Sequence, residues 1–217
     1  MSNFRTIEET EAHDQRLDPG WKLVVAFTLT YLAFAIPAAI QYSTEFVIYS
    51  VEMVLLCTVI AIIHARFRLN LVSLWCLSLC GLSHLSGGLV HVPETWNTQG
   101  ANLLYNLWLI PGWLKYDQAV HFLGFGVATW VAWQILCRIT GVIRPTPELL
   151  IISVATSMGL GSLNEVVEFI ATVMLPVTNI GDYSNYGWDL VPNASGAILA
   201  SIVIYCWKCP NISDNPL

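Results

Sequence analysis

Six stretches of this chain are long, apolar and nearly free of Asp, Glu, Lys and Arg, at about residues 21–40, 46–63, 71–91, 116–137, 149–175 and 187–207. A helix needs about 20 apolar residues to cross roughly 30 Å of hydrocarbon. Each stretch therefore predicts one spanning helix, and together they predict an all-α polytopic membrane protein, a bundle of six transmembrane helices occupying residues 21–207. Residues 1–20 form a polar, acidic tail and 208–217 a second polar tail. No short apolar stretch leads to a small-residue cleavage site, so the first stretch predicts a retained span and not a signal peptide. Between spans three and four, residues 92–115 carry Trp96, Trp108, Trp113, Pro93 and Pro111. Aromatics of this kind settle at head-group level, which predicts a partly helical segment over about 101–110 lying along the outer interface.

The positive charges orient the bundle. Arg5, Arg16, Lys22, Arg66, Arg68, Arg138, Arg144 and Lys208 fall on one side, eight of the nine Lys and Arg, and Lys115 alone falls on the other. Such an excess marks the cytoplasmic side, so both termini are expected in the cytoplasm and the chain in a bacterial inner membrane; an even number of spans agrees. Eight of the fifteen acids, Glu45, Glu52, Glu94, Asp117, Glu165, Glu168, Asp182 and Asp189, fall in the outer loops or outer halves of spans. That makes an acidic outer face suited to cations or cationic groups.

Composition narrows the class further. The 217 residues are 55% hydrophobic and only 11% charged, where a soluble domain carries about 25% charged residues. Disordered, coiled-coil and disulfide-stapled chains are excluded. A net charge of −6 argues against nucleic acid as a partner. Cys57, Cys76, Cys80 and Cys137 read as small apolar residues in a reduced compartment, and the lone Cys206-x-x-Cys209 is a weak metal or redox signal. The sequons at Asn193 and Asn211 fall in a span and on the cytoplasmic side, where glycosylation is not expected.

Ionisable residues within spans cost about 2.5–3.5 kcal/mol each on insertion scales, and this chain places several at similar depth. Span four opens with Asp117 and, four residues later, His121, on one helix face. Asp117 also suits the first turn of a helix, where free amides want an acid. Span five holds Glu165 and Glu168 on one face, with Gly159 and Gly161 a turn or two away permitting close helix approach. Two carboxylates so close either share a proton or are held by a cation. Span six begins with Asp189, read as an N-cap ahead of Pro192, with Asn193 on the same face and Ser195-Gly196 allowing tight packing. His84 and His91 of span three, seven residues apart, share a face across Gly87 and Gly88; Glu52 adds an acid from span two and Glu45 stands at the mouth. One shared, outward-facing polar pocket accounts for all of them.

These residues carry a family likeness. Tyr116-Asp117 with His121-Phe122, then Glu165 and Glu168, then Trp188-Asp189 with Asn193 and Gly196 resemble the pattern of the YjdF-type family of bacterial inner-membrane proteins, over roughly residues 60–207. More distantly the chain is similar to VanZ-like proteins, whose spans carry D-K-x-x-H-F, E-x-x-Q and D-x-x-x-N-x-x-G. Gln118 stands where those have Lys, and Glu168 where they have Gln, so the YjdF-type pattern is the nearer one. The VanZ-like resemblance implies a place in envelope glycan or lipid business at the cell surface.

Two functional readings follow. In the first, a divalent metal or a shared proton serves chemistry on a lipid or lipid-linked head group: Glu165, Glu168, His121 and Asp189 act as catalytic groups and, with His84, as metal ligands. Asp117, Asn193 and His91 then bind substrate, Asp117 also orienting His121. In the second, the chain is no enzyme but a head-group binder or an accessory subunit packed beside membrane partners, its polar cluster setting helix register. Ion or proton transport is disfavoured because the inner halves of the spans hold mostly Thr, Ser and Cys. Ser195 lacks a nucleophile-elbow context, and no glycine-rich phosphate loop is present.

Overall fold

The computed structural model describes residues 20–42, 44–142, 144–175 and 183–206; Arg5, Arg16, Asp182, Lys208, Cys209 and Asn211 lie outside them. Six long helices dominate these residues: α1 (Trp21–Tyr42), α2 (Thr44–Phe67), α3 (Leu71–Leu89), α4 (Tyr116–Thr140), α5 (Pro147–Met174) and α6 (Tyr183–Cys206). All six are long and apolar enough to cross a membrane. Their outer faces are apolar, with Phe34 and Met174 each 75% exposed, whereas Thr129, Ser153 and Ser157 are wholly buried. Lipid tails are as apolar as leucine, so small and hydroxylated residues at the seams hold the helices together. Ser157 Oγ, for example, donates to the Phe125 carbonyl across the α4–α5 seam at 2.7 Å.

The helices fall into two groups. α4, α5 and α6 pack closely on one another, α1 packs on α2 and α3, and α3 lies against α4 and joins the groups. Close approach of α4 and α6 depends on Gly196, where an added Cβ would overlap the Phe122 carbonyl. At one end of the bundle the α2–α3 turn is stitched to α4. Gln134 Nε2 donates to Ser73 Oγ at 2.5 Å, Gln134 Oε1 accepts from the Asn70 amide at 3.3 Å, and Arg138 donates to the Arg68 carbonyl at 3.2 Å. Asn70 Oδ1 caps α3 by accepting from the Ser73 amide at 2.8 Å. Loss of such a cap costs about 1 kcal/mol, so Asn70→Ala should lower the thermal midpoint of detergent-purified protein modestly and leave every property of the opposite end unchanged.

Three expectations are corrected. The 92–115 connection is not helical over 101–110: only a 3-10 turn at Leu104–Asn106 is, followed by a hairpin of β1 (Trp108–Ile110) and β2 (Leu114–Lys115). Aromatic and β-branched residues flank a Pro111-Gly112 turn, and Gly112 takes φ +73°, which glycine adopts freely. His91 does not share a helix face with His84, because α3 ends at Leu89 and Val90 is already extended; His91 instead bridges to Leu103. Finally, Asp189 is not the N-cap of α6. The helix starts at Tyr183, so Asp189 lies in its second turn and Pro192 lies inside the helix, where the missing amide leaves a backbone carbonyl free one turn earlier.

Candidate functional site

At the end of the bundle carrying the hairpin, α4 begins where β2 stops. The Lys115 amide donates to Gln118 Oε1 at 2.9 Å, which sets the first turn and puts Asp117 and His121 one above the other. α6 presents Asp189 and Asn193 at the same four-residue spacing, both wholly buried. α5 adds Glu165 and Glu168. Gly161 makes room for this meeting, since a Cβ there would stand 3.0 Å from Asn193 Nδ2.

Asn193 is the bridge of the cluster. Its Oδ1 accepts from His121 Nδ1 at 3.0 Å, and its Nδ2 donates to Glu165 Oε1 at 3.3 Å. Glu165 Oε1 is also 3.5 Å from His121 Nδ1. With Nδ1 donating, Nε2 of the neutral ring is a lone pair, and it faces Asp117 Oδ1 at 3.6 Å. Two acceptors so placed repel unless a proton or cation lies between them. At 3.6 Å Asp117 is beyond hydrogen-bond distance of the ring, and the hydrogen bond that holds His121 is the one to Asn193. Asn185 Nδ2 donates to Asp189 Oδ2 at 2.5 Å and Asn164 Nδ2 to Glu168 Oε1 at 2.9 Å. Glu165 Oε2 and Asp189 Oδ1 are buried with no hydrogen-bond partner among the described residues. Two sets of ligand atoms result, each within 4.8 Å of one another: Asp117, His121 and Asp189, and Glu165, Glu168 and Asp189. Asp189 belongs to both.

Beside the cluster lies a cavity of about 30 Å³ that reaches Asp117 and Glu168 on one wall and Glu45, Tyr49 and His84 on the other, with Lys115, Tyr105 and Asn185 between. Lys115, 8% exposed, donates from Nζ to Asn185 Oδ1 at 2.7 Å. Tyr105 donates its only hydroxyl proton to the His84 carbonyl at 2.6 Å while lying 2.8 Å from His84 Nδ1. Nδ1 must then be the donor, leaving Nε2 of the neutral ring as an acceptor. Burial pushes the Tyr105 hydroxyl well above its ordinary range, so it stays a donor throughout the accessible pH range. The Tyr49 hydroxyl is buried and has no partner among the described residues.

Of the residues singled out in the sequence, Asp117, His121, Glu165, Glu168, Asp189 and Asn193 converge. His84 lines the adjoining cavity and belongs to neither ligand set. His91 stands apart, exposed and packed on the Tyr42 ring at 5.1 Å. Glu52 continues the Glu45–Tyr49 face of α2 and is half-buried. Lys115, Asn185, Tyr105 and Asn164 went unrecognised. Lys115 alone carried a signal, as the one cation among the outer acids.

Six membrane-length helices enclosing a carboxylate–imidazole cluster make this a multi-pass membrane protein whose buried polar residues gather at one end of the bundle. The chain belongs to the uncharacterised family described as "Predicted membrane protein (DUF2238)", whose model matches residues 22–209. No curated protein and no solved structure matches it.

Proposed function

We propose that this protein holds a divalent cation in the carboxylate–imidazole cluster and binds or acts on a lipid or envelope head group beside it, from the periplasmic face of the bacterial inner membrane. The observation that carries this reading is Asp189: wholly buried, common to both ligand sets, with an oxygen that no described residue satisfies. Unsatisfied buried carboxylate oxygens are costly. Like charges at 4 Å repel by about 4 kcal/mol even at an effective dielectric constant near 20. A divalent ion removes both penalties. The held imidazole also supports it, because a ligating histidine commonly donates its other ring N–H to a fixed acceptor, here Asn193 Oδ1.

In this reading His121 Nε2, Asp117, Asp189, Glu165 and Glu168 are ligands, and Asn193 is a positioning residue. The distribution of Lys and Arg, eight of nine away from this end, supports a periplasmic opening. The motif spacing supports a YjdF-type member of the family.

Metal analysis by mass spectrometry on detergent-purified protein tests the proposal. Wild type should carry at least one divalent ion per chain, and Glu165→Ala/Glu168→Ala and Asp189→Asn should each carry less than about a tenth of that, as expected when ligands or their supports are lost. Wild type that is empty and resists reloading would overturn the metal and favour a hydrogen-bonded network that sets helix register.

A further inference from the structure

We infer that the head group is that of an aminophospholipid: its primary ammonium occupies the cavity beside the cluster and its phosphate lies at Lys115. The inference rests on the reading of the end of the bundle as a head-group site and adds the chemistry of the ligand.

Size is the first argument. A cavity of about 30 Å³ admits two or three water-sized groups, since one such group needs about 10–15 Å³. An ethanolamine end, one nitrogen and two carbons, fits; a sugar does not. Charge is the second. Three carboxylates, Glu45, Asp117 and Glu168, line the cavity together with Lys115, a set of charges complementary to a zwitterion that is cationic at one end and anionic at the other. The third is Tyr49, 8% exposed, which lines the cavity with a hydroxyl that has no partner among the described residues. That oxygen accepts from an ammonium N–H, and the rings of Tyr49, Tyr105 and Phe46 around it add cation–π attraction.

The packing shows how a lipid reaches the cavity. Of the residues lining the cavity, α2 carries Glu45 and Tyr49, α5 carries Glu168 and α6 carries Asn185. Yet α2 packs on α1 and α3 and makes no comparable contact with α5 or α6. Among the described residues the two helix groups line the cavity together without packing closely on each other there, and this seam is the route by which a lipid enters laterally with its acyl chains still in the bilayer.

The test uses the full chain in a non-phospholipid detergent. The rise in thermal midpoint is read with short-chain phosphatidylethanolamine, short-chain phosphatidylglycerol and free O-phosphoethanolamine, and converted to affinity. Phosphatidylethanolamine should bind at least about tenfold tighter than either comparison. Tyr49→Phe loses only a hydroxyl that has no partner among the described residues, so it should fold and melt as wild type without lipid. It should bring the two lipids to within about threefold of each other. Lys115→Gln should weaken both lipids together. Equal affinity of wild type for the two lipids, or an undiminished ethanolamine preference in Tyr49→Phe, overturns the assignment. Tighter binding of the soluble compound than of the lipid overturns the lateral route. Metal content is read on the same samples: wild type that prefers phosphatidylethanolamine but holds no metal sinks the cation and leaves the ligand assignment standing. A metal-loaded wild type with no preference does the reverse.

Discussion

Gly196→Ala should fail to accumulate as a folded protein, or should melt far below wild type. One added methyl group is a small change, but here it points at the Phe122 carbonyl, a backbone atom in the second turn of α4. Side chains yield by changing rotamer; a helix backbone yields only by moving the helix. Overpacking typically costs about 1–3 kcal/mol, and this contact belongs at or above the top of that range because α4 must leave α6 along the seam that assembles the site. Gly159→Ala is the control. Nothing lies within 4 Å of a Cβ there, and alanine is about 1 kcal/mol better than glycine inside a helix, so that variant should be at least as stable as wild type. Fluorescence-detected size exclusion after a temperature series reads both. A Gly196→Ala variant melting beside wild type would falsify the account of the α4–α6 seam.

Asn193→Leu is the second large effect, and it acts on stability and on the site together. The amide satisfies the His121 N–H and one Glu165 oxygen; leucine fills the space and satisfies neither. Each buried polar group left alone costs about 1–3 kcal/mol, so the pair predicts a loss of several kcal/mol. Metal occupancy should fall with it, because an imidazole no longer fixed through Nδ1 loses its orientation toward Asp117 and Asp189. Asn193→Asp separates the two effects. It still accepts from His121 Nδ1 but faces Glu165 Oε1 with a second carboxylate in place of a donor. Its thermal midpoint should therefore rise on adding divalent ions more steeply than that of wild type. If Asn193→Leu kept both melting behaviour and metal, the bridge would be incidental.

The spans were legible because their signal is local and repeated: a run of some twenty apolar residues announces itself whatever it packs against. The convergence of Asp117, His121, Glu165, Glu168, Asp189 and Asn193 was legible for a related reason, since charge inside a span has few uses and common depth can be counted along each helix. What lay beyond reach depended on contacts across the bundle. Lys115 and Asn185 are seventy residues apart and meet only after α4 and α6 pack. Tyr105 reaches His84 because the 92–115 connection folds back over α3, and nothing in an apolar, aromatic loop says which way it folds. The start of α6 was misplaced because Pro192 suggested a first turn, whereas a helix inside a membrane bundle accommodates a proline mid-length when neighbours shelter the freed carbonyl.

Lys115 ends the hairpin, opens α4 and sends its side chain into the cavity. The three roles fall on one residue, so the connection between α3 and α4 is geared to the site. Its tip, Leu109 to Trp113, can vary in identity apart from Gly112, whose φ of +73° favours glycine, but a residue added to or removed from β2 would turn the side chain that precedes the helix to the opposite face of the strand. In this loop, unlike most, evolution is left to vary spelling and not length.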